Sequence, residues 1–535
     1  MKLCILLAVS GLIAMGGAAM AVPEFKVGIE FSTQVPVSPA IENALRAMGI
    51  SYINYYVKNS ADPTPKELPA ADVNKAMLAL ADRLGLDYSI ACHALDPPDD
   101  CVREAVAHAK DSHRYRGVVF DELEHVRQLW PYSPVPLTDP SKFETFQQAY
   151  DGTLAGYGKL GSKFEALGSP VTATHVWPVM HHIAAKAGFT VCPKICKEYF
   201  SPVSLAIGMG AAKQYGRDLW ADCDLWFYDM IPGHTPEEFK SNLLLAYWLG
   251  VDLVYVEGAG YNLYPAGNQG TPFSLVNKID EDNHQLTPHG EVLRWFCKEY
   301  LPAHPRSWTF RDVKPNIAIV RFEDTCHGQR YTDFPDKLYG SDKLHSDRDT
   351  EAWFGIWNVL TFGKTGRDGL SMFKAWVGPA SYERGVEKGV TPSYATRPAF
   401  ADMHRFFVPL NGAVVYDDTV GYDLLRGVPL IYLTGKQVSD ATMAAIRKCV
   451  TEGAVCVAWG PLAAKHGYGD WKEGVKIIVE GKGKMILTDD FGLGAVTRET
   501  NLLVGHPDKI SYRFGDNHVT LKRVTDNEVS VLVDK

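Results

Sequence analysis

Acidic side chains crowd one short segment near residue 120. The segment Val119–His125 reads VFDELEH, so Asp121, Glu122 and Glu124 follow an apolar run almost without interruption. Carboxylates this close repel one another, and the pKa of at least one should rise if the site is enclosed. A carboxyl group with a raised pKa stays protonated near neutral pH and can act as a general acid. The alternative is a charged helix N-terminus, where the helix dipole favours acids.

Two later acids could act together with this segment. Asp229 follows the aromatic run LWFY, and Glu257 lies in the sequence YVEGAGY. The glycines after Glu257 would let a ligand or a loop approach closely. Two carboxyl groups flanking a scissile bond are what glycosidic cleavage needs. We therefore expect Glu122, Asp229 and Glu257 to be catalytic. For either later acid the alternative is a salt bridge or a loop-ordering hydrogen bond.

Repeated strand–helix units must position these residues. From Phe25 to about Tyr300, short β-branched runs alternate with helical patterns, which is typical of βα units and a parallel sheet. The predicted strands are Lys26–Phe31, Ser51–Val57, Asp87–Cys92, Gly117–Asp121, Val171–Val176, Phe189–Pro193, Asp224–Met230 and Asp252–Glu257. This order predicts an α/β fold, a (β/α)8 barrel, with an open doubly wound sheet as the alternative.

In such a barrel, active-site residues come from the carboxyl ends of the strands. The polar and aromatic residues at or just after the predicted strand ends are Glu30, His93, Asp121, Glu122, Glu124, His125, His175, Trp177, Lys194, Lys197, Glu198, Tyr228, Asp229, Glu257 and Tyr261. Acids, rings and hydrogen-bond donors together suit a sugar-cleaving site. The residues expected to bind the substrate are Asp121, Glu124, His175, Trp177, Tyr228 and Tyr261.

The N-terminus has the pattern of a signal peptide. Lys2 gives a short positive region, Leu3–Met15 is apolar and uncharged, and Ala19–Ala21 is an A-x-A site with cleavage after Ala21. A retained membrane anchor is the alternative, although the stretch is short. No second segment is apolar enough to span a bilayer. We therefore expect a secreted or periplasmic protein without a stable membrane anchor.

Composition narrows the choice of partners. The formal net charge is -9 and no basic patch stands out, so nucleic acid is not an expected partner. No phosphate loop, dinucleotide fingerprint or nucleophile elbow is recognisable, and the sequence implies no metal and no organic cofactor.

Nine cysteines would remain after cleavage, and an odd number leaves at least one unpaired. Cys192 and Cys196 lie four apart, with His181 and His182 nearby in the sequence. These residues could bind a metal, the two cysteines could form a disulfide, or both could be buried free thiols.

A second α/β pattern follows the prolines Pro302, Pro305 and Pro315. It begins near Asn316, and from about Gly469 onward short strands with glycine and aspartate turns predominate. The predicted limits are residues 1–21 for the signal peptide, 22–312 for the barrel, 313–465 for the α/β domain and 466–535 for a β-rich C-terminal region.

The strand-end acids resemble those of the large clan of retaining TIM-barrel glycoside hydrolases. That clan places an acid/base after strand 4, often as Asn-Glu, and a nucleophile after strand 7. The resemblance implies Glu122 as acid/base, with Asp121 in the position where Asn is usual. By strand count it implies Asp229 as nucleophile, while Glu257 has the usual residue type on the next strand.

Residues 429–461 contain a strand, a capped helix and an EGA turn into another strand. They resemble the glutamine-amidotransferase-like trimerisation domain of the β-galactosidase family. This resemblance implies an architectural role, with a possible homo-oligomer through the second domain.

Three functions remain open from the sequence. The first is a glycoside hydrolase acting on an oligo- or polysaccharide. The second is a non-catalytic glycan-binding protein on a degenerate barrel. The third is a metal-dependent barrel hydrolase that uses His93, His175, Asp121 and Glu122. The fold alone does not separate them, because barrels carry many chemistries.

Overall fold

In a computed structural model, the first half of the chain forms a closed barrel of eight parallel strands. The structure describes residues 24–31, 37–57, 69–110, 112–129, 135–177, 179–197, 199–225, 234–257, 275–278, 283–326, 337–367 and 405–535. The strands are β1 Lys26–Phe31, β2 Tyr52–Tyr56, β3 Asp87–Cys92, β4 Tyr115–Phe120, β5 Val171–His175, β6 Thr190–Ile195, β7 Trp220–Asp224 and β8 Leu253–Glu257. Because β1 pairs with both β2 and β8, the sheet has no edge, and the predicted barrel is confirmed.

Helices follow the strands around the barrel. They are α1 Pro39–Met48, α2 Ala70–Leu84, α3 Asp99–His108, α4 Phe146–Glu165, α5 His181–Lys186, α6 Ser201–Tyr215, α7 Pro236–Trp248 and α8 Pro288–Trp295. A π-helical turn Phe296–Tyr300 and a short turn Leu301–Ala303 extend α8, and another π-helical turn, Glu124–Leu129, follows β4. A short β-ribbon of β9 Val276–Lys278 and β10 His284–Leu286 precedes α8.

The prediction for the seventh strand is wrong. The strand is Trp220–Asp224, and it ends where the predicted strand Asp224–Met230 begins. Residues 220–224, WADCD, have acids at alternate positions, a pattern typical of a polar turn. The aromatic run after them is typical of a strand. Inside a barrel, these acids can face the interior if a cation neutralises them, and Lys194 does so.

Side chains at alternate positions of the strands point inward and fill the barrel interior. Tyr52, Val119, Cys192, Trp220, Leu253 and Tyr255 form a separate buried cluster. The ring of Tyr52 lies 5.8 Å from that of Trp220 and 6.1 Å from that of Tyr255. Successive side chains of a strand face opposite sides, so residues two positions further along point into the same interior. This packed layer forms the floor on which the polar residues of the strand ends lie.

The second half of the chain contains two further sheets. A six-stranded sheet has the order β13-β11-β14-β15-β17-β16, and only β16 is antiparallel to its neighbour. Its strands are β11 Ile317–Arg321, β13 Ala413–Asp417, β14 Leu430–Thr434, β15 Val455–Trp459, β16 Val475–Glu480 and β17 Gly483–Thr488. The four-stranded sheet consists of β12 Leu410–Asn411, β18 Lys509–Phe514, β19 Asn517–Arg523 and β20 Val529–Asp534.

Helices accompany the six-stranded sheet. They are α9 Arg348–Leu360, α10 Tyr422–Leu425, α11 Asp440–Glu452, α12 Gly460–Lys465 and α13 Gly494–Val504. The expected cap of α11 is present, because Ser439 Oγ accepts a hydrogen bond from Thr442 N. This sheet continues past residue 465, and the domain limits themselves stay a prediction. Within the described residues, no helix is both long and apolar enough to cross a membrane.

The barrel contacts the six-stranded sheet through α5 and α6. His182 Nε2 lies 2.9 Å from the carbonyl oxygen of Val415, and Met180 N donates a hydrogen bond of 2.7 Å to Glu323. Gly210 of α6 lies so close to β13 that a Cβ atom there would fall 1.7 Å from Val415 O. These buried contacts join the two parts of the chain.

Candidate active site

A buried lysine is the centre of the candidate site. Lys194 lies two positions after Cys192 on β6, so its side chain also points into the barrel interior. That side chain is 0% exposed. Five carboxylates surround its Nζ: Asp121 at 2.9 Å, Glu122 and Asp224 at 3.2 Å, Asp222 at 3.7 Å, and Glu257 in a short contact. Glu122 and Glu257 remain slightly accessible, with side chains 13% and 10% exposed. The ammonium therefore lies beneath acids that are open to the mouth of the barrel.

The strand ends explain why these residues meet. Asp121 and Glu122 follow β4, Asp224 ends β7 and Glu257 ends β8. All strands of a closed parallel barrel point the same way, so their carboxyl ends form one rim. Thr174 of β5 donates a hydrogen bond of 3.0 Å to Asp121 and fixes this acid.

Glu122 has an unusual backbone conformation. Its φ angle is +48°, in the left-handed region that non-glycine residues rarely adopt. Its N–H donates a hydrogen bond of 3.0 Å to Thr174 Oγ1. Such conformations cost free energy and persist where the surrounding structure enforces them, often at functional sites. This turn directs the Glu122 side chain into the group of acids around Lys194.

Two lysines and a histidine face Glu122. Lys194 lies 3.2 Å, Lys197 3.9 Å and His93 3.8 Å from its carboxylate oxygens. Burial opposes ionisation of Glu122, but the charge of Lys194, the contact with His93 and the charge of Lys197 hold its pKa well below the usual range. Burial also lowers the pKa of His93, yet its contact with Glu122 leaves that pKa raised overall. Glu122 is therefore an ionised carboxylate.

The facing acid, Glu257, has the opposite electrostatics. Burial raises its pKa well above the usual range, the charges of Asp121 and Asp224 add to this rise, and Lys194 opposes it. Glu30 at the end of β1 behaves alike, because burial and then the charge of Glu257 raise its pKa. The interior thus lowers the pKa of the carboxyl group after β4 and raises the pKa values of those on β8 and β1.

Asp222 and Asp224 are the site residues that the sequence prediction missed. Both contact Lys194, and Asp224 also lies 2.5 Å from Lys197. The misplaced seventh strand put Asp224 at the strand's beginning, and Asp222 before it. The available signal was alternation, since Trp220, Asp222 and Asp224 repeat the spacing of Leu253, Tyr255 and Glu257.

Glu124 is buried apart from the acids around Lys194. Its Oε1 accepts hydrogen bonds from Val176 N at 2.9 Å and Trp177 N at 3.2 Å, so it holds the segment after β5. Burial, and then the charge of Glu122, raises the pKa of Glu124 to about 8. The predicted rise in this acidic segment therefore falls on Glu124 and not on Glu122.

His175 and Trp177 are buried at and after the end of β5. His175 points from β5 towards the helices, where its Nε2 is 3.1 Å from Tyr157 Oη and its Nδ1 is 3.0 Å from Val179 O. Burial lowers the pKa of His175 to about 3. Trp177 is 0% exposed and packs edge-on against Tyr199. Their roles in sugar binding stay predictions.

The structure therefore brings together only part of the proposed metal-ligand set. His93, Asp121 and Glu122 meet, whereas His175 does not join them. Asp229, Tyr228, Tyr261 and Glu198 lie outside the described residues, so their predicted roles are not addressed.

Three acids around Lys194 have the spacing of cation ligands. Carboxylate oxygens of Asp121, Asp222 and Glu257 lie within 4.8 Å of one another. The Lys194 ammonium contacts all three acids and so supplies a positive charge to this group. Its carboxylate neighbours overcome burial and hold the pKa of Lys194 well above the usual range. Lys194 is thus a fixed cation and hydrogen-bond donor, not a neutral amine nucleophile.

The nine cysteines after residue 91 are all unpaired. Neither histidine of the predicted cysteine–histidine group turns towards Cys196, because His181 stacks on His175 and His182 contacts Val415. Cys196 instead lies beside His234 and Glu238.

No protein-family model matches the chain, and no curated protein matches its sequence. Among solved structures, it resembles the exo-β-1,4-mannosidase Op5Man5 from Opitutaceae bacterium strain TAV5, with a TM-score of 0.49 and 11% identity over 88% of this chain and 92% of that one. The catalytic module of a family 98 glycoside hydrolase from Streptococcus pneumoniae TIGR4 has a TM-score of 0.44 and 10% identity over 96% of this chain and 74% of that one. For GH5_18 from Streptomyces cattleya, the TM-score is 0.38 and the identity 11%, over 74% and 99%. All three are glycoside hydrolases, and these similarities assign no family to the chain.

Proposed function

We propose that this protein is a glycoside hydrolase that cleaves a glycosidic bond with Glu122 and Glu257. One observation carries the proposal: Glu122 after β4 and Glu257 at the end of β8 contact the same Lys194 Nζ at the mouth of the barrel, and the pKa of Glu122 is lowered while that of Glu257 is raised. Strands β4 and β8 are four apart in the closed sheet, so they stand on opposite sides. A glycosidase needs one acid that donates a proton and one carboxylate that attacks or activates water.

The electrostatics favour Glu257 as the proton donor and Glu122 as the attacking carboxylate. The sequence resemblance implies Glu122 as the acid/base. We assign that role to Glu257 instead, because a general acid needs a raised pKa. Glu122 would attack the anomeric carbon, while Glu257 protonates the leaving oxygen. Water activated by Glu257 would then release the sugar from the Glu122 ester and return the proton to Glu257.

The separation of the two carboxyl groups favours retention of configuration. Both contact the same Lys194 Nζ, so their nearest oxygens are no further apart than two hydrogen-bond lengths. Retaining enzymes hold their carboxyl groups about 5–5.5 Å apart, and inverting enzymes about 6.5–9.5 Å apart. Lys194 and His93 would keep Glu122 ionised until the sugar binds.

Two further proposals come from the sequence. The signal-peptide pattern supports export and cleavage after Ala21, which would bring the enzyme to a glycan outside the cytoplasm. The amidotransferase-like pattern of residues 429–461 supports a homo-oligomer through the second domain, and light scattering of the purified protein measures this.

The decisive experiment compares Glu122→Ala, Glu257→Ala and the exposed control Glu165→Gln on aryl glycosides. Removing a catalytic carboxyl group should lower kcat/KM by at least about 10²–10⁴-fold, while the control matches wild type. Azide should rescue Glu122→Ala and yield a glycosyl azide of inverted configuration. Glu257→Ala should keep more activity on substrates with good leaving groups, and azide should then yield the retained product. Near-wild-type activity of Glu122→Ala or Glu257→Ala would contradict the assigned pair.

One observation favours a second function. Both candidate carboxylates contact a buried lysine, as expected for a glycan-binding protein on a degenerate barrel. Calorimetric binding of an oligosaccharide by wild type, without cleavage of any glycoside in the panel, would establish that function instead.

A further inference from the structure

A second group of potential ligands lies behind the candidate site. Cys196 follows β6, and His234 and Glu238 stand at the beginning of α7. All three are fully buried. Their ligand atoms lie within 4.8 Å of one another, and His234 Nδ1 is 2.9 Å from Glu238 Oε2. A thiol, an imidazole and a carboxylate thus converge in the layer between the barrel and its helices.

A fourth potential ligand is adjacent. Cys223 lies on β7 between Asp222 and Asp224, and the alternation of the strand turns it away from the barrel interior. Its thiol is fully buried and interacts with that of Cys196. The Cys223 thiol therefore adjoins the three converging ligands through Cys196.

The backbone holds these side chains in place. Cys196 has a φ angle of +57°, and its N–H donates a hydrogen bond of 3.0 Å to Ser201 Oγ. Thr235 caps α7 by accepting from Glu238 N at 3.1 Å, and His289 Nε2 lies 2.8 Å from His234 O. A left-handed non-glycine residue persists only where its surroundings enforce it. The convergence is therefore a built feature of the fold.

We propose that Cys196, His234 and Glu238 form a binding site for a transition-metal ion of the Zn²⁺ class, and that the neighbouring Cys223 completes it as fourth ligand. Zinc takes thiolate, imidazole and carboxylate ligands in tetrahedral geometry, and structural zinc sites are closed to solvent. Calcium and magnesium prefer oxygen ligands, so a set with sulfur and nitrogen selects against them.

A metal here would brace the candidate site from behind. Cys196 is two residues after Lys194 and directly precedes Lys197, and Cys223 separates the two aspartates that contact Lys194. The ion would tie the ends of β6 and β7 to the beginning of α7. This role does not depend on the glycosidase proposal, since it concerns the position of the strand ends and not the reaction.

Metal content and affinity of the full-length protein test the proposal. Protein loaded with Zn²⁺ and passed over a desalting column should retain about one equivalent per chain. Co²⁺ in its place should give a thiolate-to-cobalt charge-transfer band, which Cys196→Ser weakens and Cys196→Ser with Cys223→Ser removes. Competition with a chromophoric chelator should show an affinity loss of more than about 10²-fold in His234→Gln and Glu238→Gln. The control Cys456→Ser changes another buried thiol and should bind like wild type.

Three results would overturn the site. They are no retained Zn²⁺ in wild type, a cobalt spectrum without the thiolate band, and a Cys196–Cys223 disulfide found by peptide mass mapping of unreduced protein. If Cys196→Ser does not fold, the thiolate band in the cobalt spectrum of wild type still tests the proposed site. Zn²⁺ should also raise the melting temperature of wild type but not that of Glu238→Gln, whichever sugar the protein cleaves or binds.

Discussion

Lys194 Nζ lies 2.9 Å from an Asp121 carboxylate oxygen and so joins two strands that are not neighbours in the sheet. Asp121 follows β4 and Lys194 lies on β6, with β5 between them. The contact crosses the barrel interior, where few water molecules can screen charges, and an ion pair there is strong once formed. Its geometry organises the acids of both halves of the rim.

The first prediction concerns Lys194→Met. Removal of the ammonium leaves five acids without their shared cation, which should lower the free energy of unfolding by about 3–5 kcal/mol at neutral pH. The raised pKa of Lys194 means that its contribution is complete below the unfolded-state pKa, and is lost only as pH rises through the folded-state pKa. Wild type therefore keeps the stabilising contribution of Lys194 throughout pH 5–8. Urea unfolding measures the difference, with exposed Lys159→Met as control.

The same variant gives a pH signature. Without Lys194 the acids should protonate more readily, so the stability gap to wild type should narrow as pH falls from 8 to 5. A gap that stays constant over this range would show that the acids do not depend on Lys194.

The pH dependence of hydrolysis tests the proposed roles. The pKa of Glu122 is lowered and that of Glu257 is raised, so Glu122 ionised with Glu257 protonated is the dominant pair between the two values. We expect a bell-shaped kcat/KM whose acidic limb lies below, and whose alkaline limb lies above, the usual glutamate range. With a good leaving group, Glu257→Gln should lose the alkaline limb. If the alkaline limb persists in Glu257→Gln, a group other than Glu257 is responsible for it.

Glu124→Gln tests a buried carboxyl group outside the proposed pair. Its folded-state pKa of about 8 lies above the unfolded value, so wild type is penalised progressively as pH rises from about 5 to 8. The amide mimics the protonated acid and its Oε1 can still accept both backbone hydrogen bonds. The variant should therefore gain stability relative to wild type over this range, by up to about 1.4 kcal/mol per pH unit. Guanidinium unfolding at several pH values measures this, and Glu165→Gln should show no trend.

Much of the barrel could be predicted because most of its strands carry regular local signals. Strands β1 and β3 have the predicted bounds, and β8 is shorter by one residue. Strand β7 failed because Asp222 and Asp224 are interior residues only by virtue of Lys194, which is distant in sequence. A local pattern carries no information about a charge partner on another strand.

The candidate site was predictable in composition but not in arrangement. The strand-end rule selected Glu122, Lys194 and Glu257 by position alone. It could not show that one ammonium contacts both glutamates, because that depends on strand order and side-chain direction. The opposite pKa shifts of the two glutamates depend on burial and on charges from several strands, so they were equally out of reach.

The last prediction concerns the contact between the barrel and the six-stranded sheet. At Gly210 of α6, an added Cβ would fall 1.7 Å from Val415 O, and backbone atoms cannot yield as a flexible side chain can. Gly210→Ala should therefore force α6 away from β13 and lower the free energy of unfolding, despite the better helix propensity of alanine. Gly158 in α4 provides a matched control, because a Cβ there meets nothing within 4 Å. Gly158→Ala should gain about 0.4–1 kcal/mol. Thermal unfolding of both variants measures the contrast, and equal melting temperatures would show that α6 does not press on β13.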